Sequence, residues 1–262
     1  MKYNFDELIV VKVGTNILTT IENGTEKIDI GAYERIGNQL RELSDEGKSI
    51  ILISSGAITA GVVSEGLCRA DICDIATEQR YAARGWDIVV QQWKRSIGET
   101  RVSSTLLTKR EISTPNMRQK LLQAIGCCLS YKDIFVVNEN DCLSDDEIKF
   151  GDNDTLAAAI TTACKESGMF KSIRLVLLTN KNGLNKIADD DNTLIRTVDD
   201  ISKVERYAGN ANNNHSRGGM KSKIKAAKIA TSFGVETYIA HGSEDLAIKR
   251  ALNKSIGTFF AV

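Results

Sequence analysis

Four stretches of the chain are apolar almost without alternation: Leu8–Val13, Ile50–Ile53, Ile134–Val137 and Ile173–Leu178. Runs of this kind fit strands covered on both faces, as in a parallel sheet between helices. The segments between them carry a different period. Tyr33, Ile36, Leu40 and Leu43 recur at three and four residues and stop at Gly47, which predicts an amphipathic helix with a C-terminal glycine. Ile75, Ala82, Trp86, Val89, Trp93 and Ile97 keep a helical period long enough to suggest a bend at Gly85 or a ligand lying against it. Ser104–Leu107 is a short strand candidate. Pro115, after Ser113-Thr114, is placed for the first turn of a helix carrying Leu121, Leu122 and Ile125.

Further along, Asp154–Cys164 is alanine-rich and helical, followed by a helix over Gly219–Phe233, a strand over Glu236–Ala240, a helix near Asp245–Leu252 and an apolar close at Thr258–Val262. The stretch between Gly14 and Tyr33 reads as a polar loop, Asp145-Asp146-Glu147 as part of a polar hairpin or lid, and Asp189-Asp190-Asp191 as a solvated loop. Strand, helix and strand at the opening spacing make a βαβ unit. The expected fold is α/β, a three-layer α/β/α sandwich with a mainly parallel central sheet. No low-complexity linker divides it, so residues 1–262 form one domain with two lobes, about 1–172 and 173–262.

Composition narrows what such a domain does. Of the 262 residues 42% are apolar, enough for an ordinary core, and 34 Lys and Arg balance 34 Asp and Glu. A chain of zero net charge has no long-range field for gripping nucleic acid, though a few local lysines can still hold a small phosphorylated ligand. The apolar runs are too short to cross a bilayer and the N-terminus does not read as a signal peptide, so an unexported, cytoplasmic protein is expected, with no membrane partner. Six cysteines include no C-x-x-C pair, and His215 and His241 stand apart from them, so no metal site is predicted.

Candidate chemistry gathers at strand ends. In an open parallel sheet, ligands collect at the carboxyl ends of strands, where loops and helix N-termini point amides at them. Four strands end in small or polar segments: Lys12-Val-Gly-Thr15, Ser54-Ser-Gly-Ala57, Asn138-Glu-Asn-Asp141 and Thr179-Asn180. Lys12 interrupts an apolar strand, so it must reach the strand end, pair with a carboxylate or touch a ligand; with Gly14-Thr15 beside it, a phosphate contact is the stronger reading. Gly151-Asp-Asn-Asp154 precedes the alanine-rich helix and holds more polar side chains than a cap consumes. In Arg217-Gly-Gly-Met-Lys-Ser-Lys223, lysines follow glycines onto the opening turns of a helix, where the dipole disfavours them unless an anion is present. No P-loop or dinucleotide glycine fingerprint occurs.

In their order and spacing these segments resemble the amino acid kinase family, and Asn-Glu-Asn-Asp followed by Gly-Asp-Asn-Asp resembles its glutamate-phosphorylating branch. The resemblance implies transfer of the γ-phosphoryl of ATP to the side-chain carboxylate of L-glutamate, the first step of proline biosynthesis, with Mg²⁺ accompanying ATP. It implies that Lys12 and Lys223 flank the transferred group, that Asp154 orients them, and that Ser55, Gly56, Asp141 and Asn153 seat glutamate. Gly14 and the segment Arg217, Gly218, Gly219, Met220, Lys221, Ser222 and Lys223 would serve the phosphates; Thr179 and Asn180 would border the nucleotide. Acceptor binding would fall to the first lobe and nucleotide binding to the second, and the resemblance leaves room for a homo-oligomer. Three positions depart from the family pattern. Asn180 replaces a usual Asp, Asp190 a usual Pro, and Arg84-Gly85-Trp86 a usual Val-Gly-Gln, the last expected to bring bulk and charge to the amino-acid site. A sister kinase with another acceptor, or a non-catalytic sensor of nucleotide and amino acid, are the competing readings.

Overall fold

The apolar run at Leu8 is the inner part of β1 (Phe5–Val13), whose last six residues are all buried. The computed structural model describes residues 3–69, 72, 74–143, 152–208 and 219–262. After β1 come α1 (Thr15–Leu18), β2 (Thr19–Glu22), β3 (Thr25–Ile28), α2 (Ile30–Asp45), β4 (Ser49–Ser54), α3 (Ala57–Val63), α4 (Ile75–Ile97), β5 (Val102–Leu107), α5 (Lys109–Ser113) and α6 (Pro115–Ser130). The remainder is β6 (Ile134–Glu139), α7 (Asn153–Ser167), β7 (Phe170–Thr179), β8 (Thr197–Val198), α8 (Met220–Ser232), β9 (Glu236–His241), α9 (Ala247–Leu252) and β10 (Thr258–Phe260), with short 3-10 turns between.

Eight of these strands form one sheet in the order β5-β6-β4-β1-β7-β9-β10-β8. Its first six are parallel, and β10 runs antiparallel to β9. Alternation along β1 sends Leu8 and Val10 to one face, where they pack with Leu121 and Ile125 of α6, Leu156 and Ile160 of α7 and Ile224 of α8. Ile9, Val11 and Val13 meet the other layer, formed by Tyr33 and Leu40 of α2, Val89 and Trp93 of α4 and Ile248 of α9. The three-layer sandwich follows from this two-sided burial.

One expectation needs correcting here. The segment after Gly14 is more than a polar loop: it forms α1 and the β2–β3 hairpin, closed by Asn23 (φ 52°) and Gly24 (φ 76°). Two consecutive residues at positive φ are what a tight two-residue hairpin turn requires, and Asn-Gly supplies them. α4 runs unbroken through Gly85, whose missing side chain admits α3: a Cβ on Gly85 would stand 1.8 Å from the Ala57 carbonyl oxygen. The acidic run Asp145–Glu147, Gly151 and His215 lie outside the described residues.

Candidate active site

The face on which Lys12 emerges is set by strand alternation, two residues beyond Val10 and therefore under α7 and α8. Both helices begin at the carboxyl end of the sheet. Asp152 caps α7, its side chain accepting from the Thr155 amide at 2.7 Å, which places Asp154 in the first turn, fully buried. From the first turn of α8, Lys223 turns inward while Lys221 and Lys225 stay exposed and Lys228 pairs with Glu205.

Asp154 then lies between two ammoniums. Lys12 Nζ is 2.9 Å from its Oδ1, an ion pair off the hydrogen-bonding direction, and Lys223 Nζ donates to Oδ2 at 3.0 Å. Ser222 Oγ donates to the same Oδ2 at 2.6 Å. Both lysines are only 4% exposed. Burial by itself would raise the Asp154 carboxyl, but the two ammoniums and the Ser222 hydroxyl more than offset it and hold the group below its ordinary value. Burial and the like charge of Lys12 push Lys223 below the ordinary lysine value, with Asp154 opposing. The triad carries one excess positive charge at the N-termini of two helices, an arrangement suited to an anion. Gly14 keeps the approach clear, since a Cβ there would already touch the Lys12 ammonium at 3.6 Å.

Beside the triad, Asn153 joins the ends of two strands, β4 and β6. Its Nδ2 donates to Ser55 Oγ at 2.9 Å and to Asn138 Oδ1 at 2.8 Å, and its Oδ1 accepts from the Glu139 amide at 3.3 Å. Gly56 follows at φ 105°, the left-handed conformation that lets the chain turn directly into α3. Asp141 is half-buried on the turn after β6, its amide donating to the Glu139 carbonyl at 3.0 Å. The structure thus brings Lys12, Gly14, Ser55, Gly56, Asn153, Asp154, Ser222 and Lys223 to one mouth of the sheet, with Gly219 and Met220 at the start of α8. Arg217 and Gly218 lie outside the described residues.

On the far side of β1, the Thr179 carbonyl accepts from the Gly242 amide, and Asn180 is exposed beside Lys181, Asn182, Asp189, Asp191 and His241 around a shallow open cavity. Asp190 caps a 3-10 turn in that loop, where a proline is not needed to stop a helix. Arg84 does not reach the acceptor side. Its guanidinium contacts Ser64 Oγ at 2.8 Å and Glu65 at 3.4 Å, at the opposite end of α3 from Gly56, and Trp86 packs against the α2–α4 layer. Asn138 and Glu139 are buried parts of the site that the apolar pattern misses, because it ends at Val137 while the strand continues.

The amino acid kinase family model matches residues 7–241. The chain belongs to the amino acid kinase family. Among curated relatives, the glutamate 5-kinase of Clostridium tetani is 36% identical over 259 residues, covering 96% of this chain and 93% of the relative. That of Moorella thermoacetica is 32% identical, and the chain spans 66% of its length. Two solved structures share the family fold at low identity. Isopentenyl phosphate kinase superposes with a TM-score of 0.61 at 16% identity, covering 97% of this chain and 100% of the other. N-acetylglutamate synthase from Neisseria gonorrhoeae gives 0.65 at 17%, covering 99% and 62%. Among the described residues no helix is long and apolar enough to cross a membrane.

Proposed function

We propose that this chain transfers the γ-phosphoryl group of ATP to the side-chain carboxylate of L-glutamate, giving L-glutamyl 5-phosphate and ADP, and so opens proline biosynthesis in the cytoplasm. The observation that carries the reading is the buried Lys12–Asp154–Lys223 triad at the mouth of the sheet, in a chain whose relatives are glutamate 5-kinases. A carboxylate oxygen of glutamate attacks the γ-phosphorus, and the bond from that phosphorus to the bridging oxygen of ADP breaks. With a pKa near 4.3 the acceptor is already ionised at neutral pH, so no base has to take a proton. What the reaction needs is charge neutralisation and alignment of two anions.

Lys12 and Lys223 supply the neutralisation. Asp154 keeps both ammoniums together by balancing one of the two charges, which leaves the other for the phosphoryl oxygens. Ser55, Gly56, Asp141 and Asn153 form the acceptor side, where the Asp141 carboxylate suits the substrate ammonium. Gly14, Thr179, Asn180 and the segment Arg217–Lys223 form the nucleotide side. The two sides correspond to lobes of about residues 1–172 and 173–262 that meet along β1. Among the described residues no cluster of three or more His, Cys, Asp or Glu side chains could hold a metal ion; Mg²⁺ would be held by the nucleotide's own phosphates.

The test is turnover by the purified chain with ATP and Mg²⁺, following ADP and trapping the acyl phosphate as hydroxamate. L-Glutamate should support both signals, and glutarate, which lacks the ammonium, should be a poor acceptor. Turnover with a different carboxylate or a phosphate acceptor and none with glutamate would overturn the acceptor assignment. Binding of ATP and glutamate without turnover would mark a sensor.

A further inference from the structure

Ser55 is fastened at each of its polar groups to a different element. Its amide donates to the Val13 carbonyl of β1 at 3.1 Å, its Oγ accepts from Asn153 of α7 at 2.9 Å, and its carbonyl accepts from Ser54 Oγ at 3.1 Å. The third fastening leads away from the site. Ser54 Oγ also accepts from the indole Nε1 of Trp93 at 2.8 Å, deep in the layer between α2 and α4. Trp93 and Ser54 are both fully buried, and the indole is held by the Tyr33 ring, centroids 4.5 Å apart.

An indole N–H can only donate, whereas a hydroxyl has one proton to give and lone pairs to receive. With Trp93 donating into Ser54 Oγ, the single Ser54 proton is left for the Ser55 carbonyl, and the direction of the two-bond chain is determined. Phenylalanine would fill most of the same space without setting that direction. Gly85, one helical face away on α4, admits the Ala57 carbonyl at a distance no other residue allows. α4 therefore grips the turn between β4 and α3 from behind at two points, one on each side of Gly56.

We infer that Trp93 is a positioning residue for the acceptor: acting through the Ser54 hydroxyl, it orients the Ser55 carbonyl and with it the Ser55–Gly56 turn on which the amino acid sits. The effect on acceptor binding rests on the activity proposed above; the hydrogen-bond relay itself does not.

The experiment compares the full-length parent with W93F, S54A and the W93F/S54A double variant. Each single variant should raise KM for glutamate about threefold to tenfold, the size of one neutral hydrogen bond, while KM for ATP stays within about twofold. Because both residues act through one chain of bonds, the double variant should match the worse single variant instead of multiplying the two effects. Amide exchange supplies a readout independent of turnover. The Ser55 and Ala60 amides, which donate to Val13 and Gly56, should exchange faster in each variant, with those of Ile9 and Val176 in the centre of the sheet unchanged.

Unchanged glutamate KM in W93F, equal rises in both KM values, multiplicative effects or a uniform rise in exchange would each overturn the inference. If W93F does not fold, S54A carries the same expectations. A parent that turns over no glutamate overturns the proposed activity, and exchange at Ser55 then decides the relay by itself.

Discussion

One carboxylate, Asp154, serves two ammoniums, and the consequences of changing any member differ in kind. In the proposed reaction Lys223→Met removes a charge placed for the moving phosphoryl group, so turnover should fall about 100- to 1000-fold, the usual cost of losing one preorganised donor, with the fold retained. Near-parent turnover by a folded variant would remove Lys223 from the mechanism. Asp154→Asn instead leaves two buried ammoniums without their counter-charge, a change that typically costs about 3–5 kcal/mol of stability. Its pH dependence has a definite sign. The folded Asp154 carboxyl titrates below its unfolded value, so its contribution is complete above the ordinary carboxylate range near pH 4 and disappears as pH falls through the folded value. Denaturant titrations of parent and Asp154→Asn should therefore differ most near neutrality and converge in acid. At the acceptor side, Asp141→Asn should weaken glutamate binding about 10- to 150-fold, the loss of a charge-assisted hydrogen bond, with little effect on an ATP analogue. Calorimetry with both ligands checks it; equal glutamate affinity would remove Asp141 from the pocket.

Among the elements, the pair α3 and α4 depends on two glycines that face opposite backbones. A Cβ on Gly85 would fall 1.8 Å from Ala57 O, and one on Gly61 would fall 2.1 Å from Tyr81 O. Gly85→Ala must push the helices apart, at a cost of about 1–3 kcal/mol or more, and it should raise KM for glutamate because Gly56 caps the start of α3. Gly31→Ala, whose new methyl would meet only Asp29 Oδ1 at 3.4 Å, is the control. Denaturant midpoints of the two variants decide whether the contact has this role. The strands and long helices were readable in the sequence because burial on two faces, or on one helical stripe, writes a period into it. What sequence reasoning missed lacked that period. Asn138 and Glu139 stand out as a polar strand end, but not as residues buried inside the strand and satisfied by Asn153 from a distant helix. The β2–β3 hairpin is short and exposed, with only Asn23-Gly24 to mark it. Trp93 fits the helical stripe as a core residue, and nothing in its spacing tells that its indole nitrogen is aimed at Ser54. The triad was legible at Lys12 because a charge breaks an apolar strand, and at Lys223 because lysines crowd a helix start; their meeting at Asp154 required the fold.

For the whole molecule, the boundary drawn between two lobes runs through a sheet that has no break. β1 pairs along its length with both β4 and β7, and each apolar layer contains side chains from both sides of that boundary. Shared cores unfold together, so thermal or denaturant unfolding should be a single transition by tryptophan fluorescence and by far-ultraviolet dichroism alike. Two separated transitions would show that the lobes are independent folding units. The position of β1 also bears on how the protein is made. The strand at the centre of the finished sheet is the first to leave the ribosome. One edge finds its partner once β4 has emerged, but the other must wait for β7, about 125 residues later. At roughly 5–20 residues per second that interval lasts about 6–25 s. Throughout it, a ribbon of Leu, Ile and Val with unpaired amides is exposed on the nascent chain, so the segment that carries Lys12 is also the one most in need of a chaperone during synthesis.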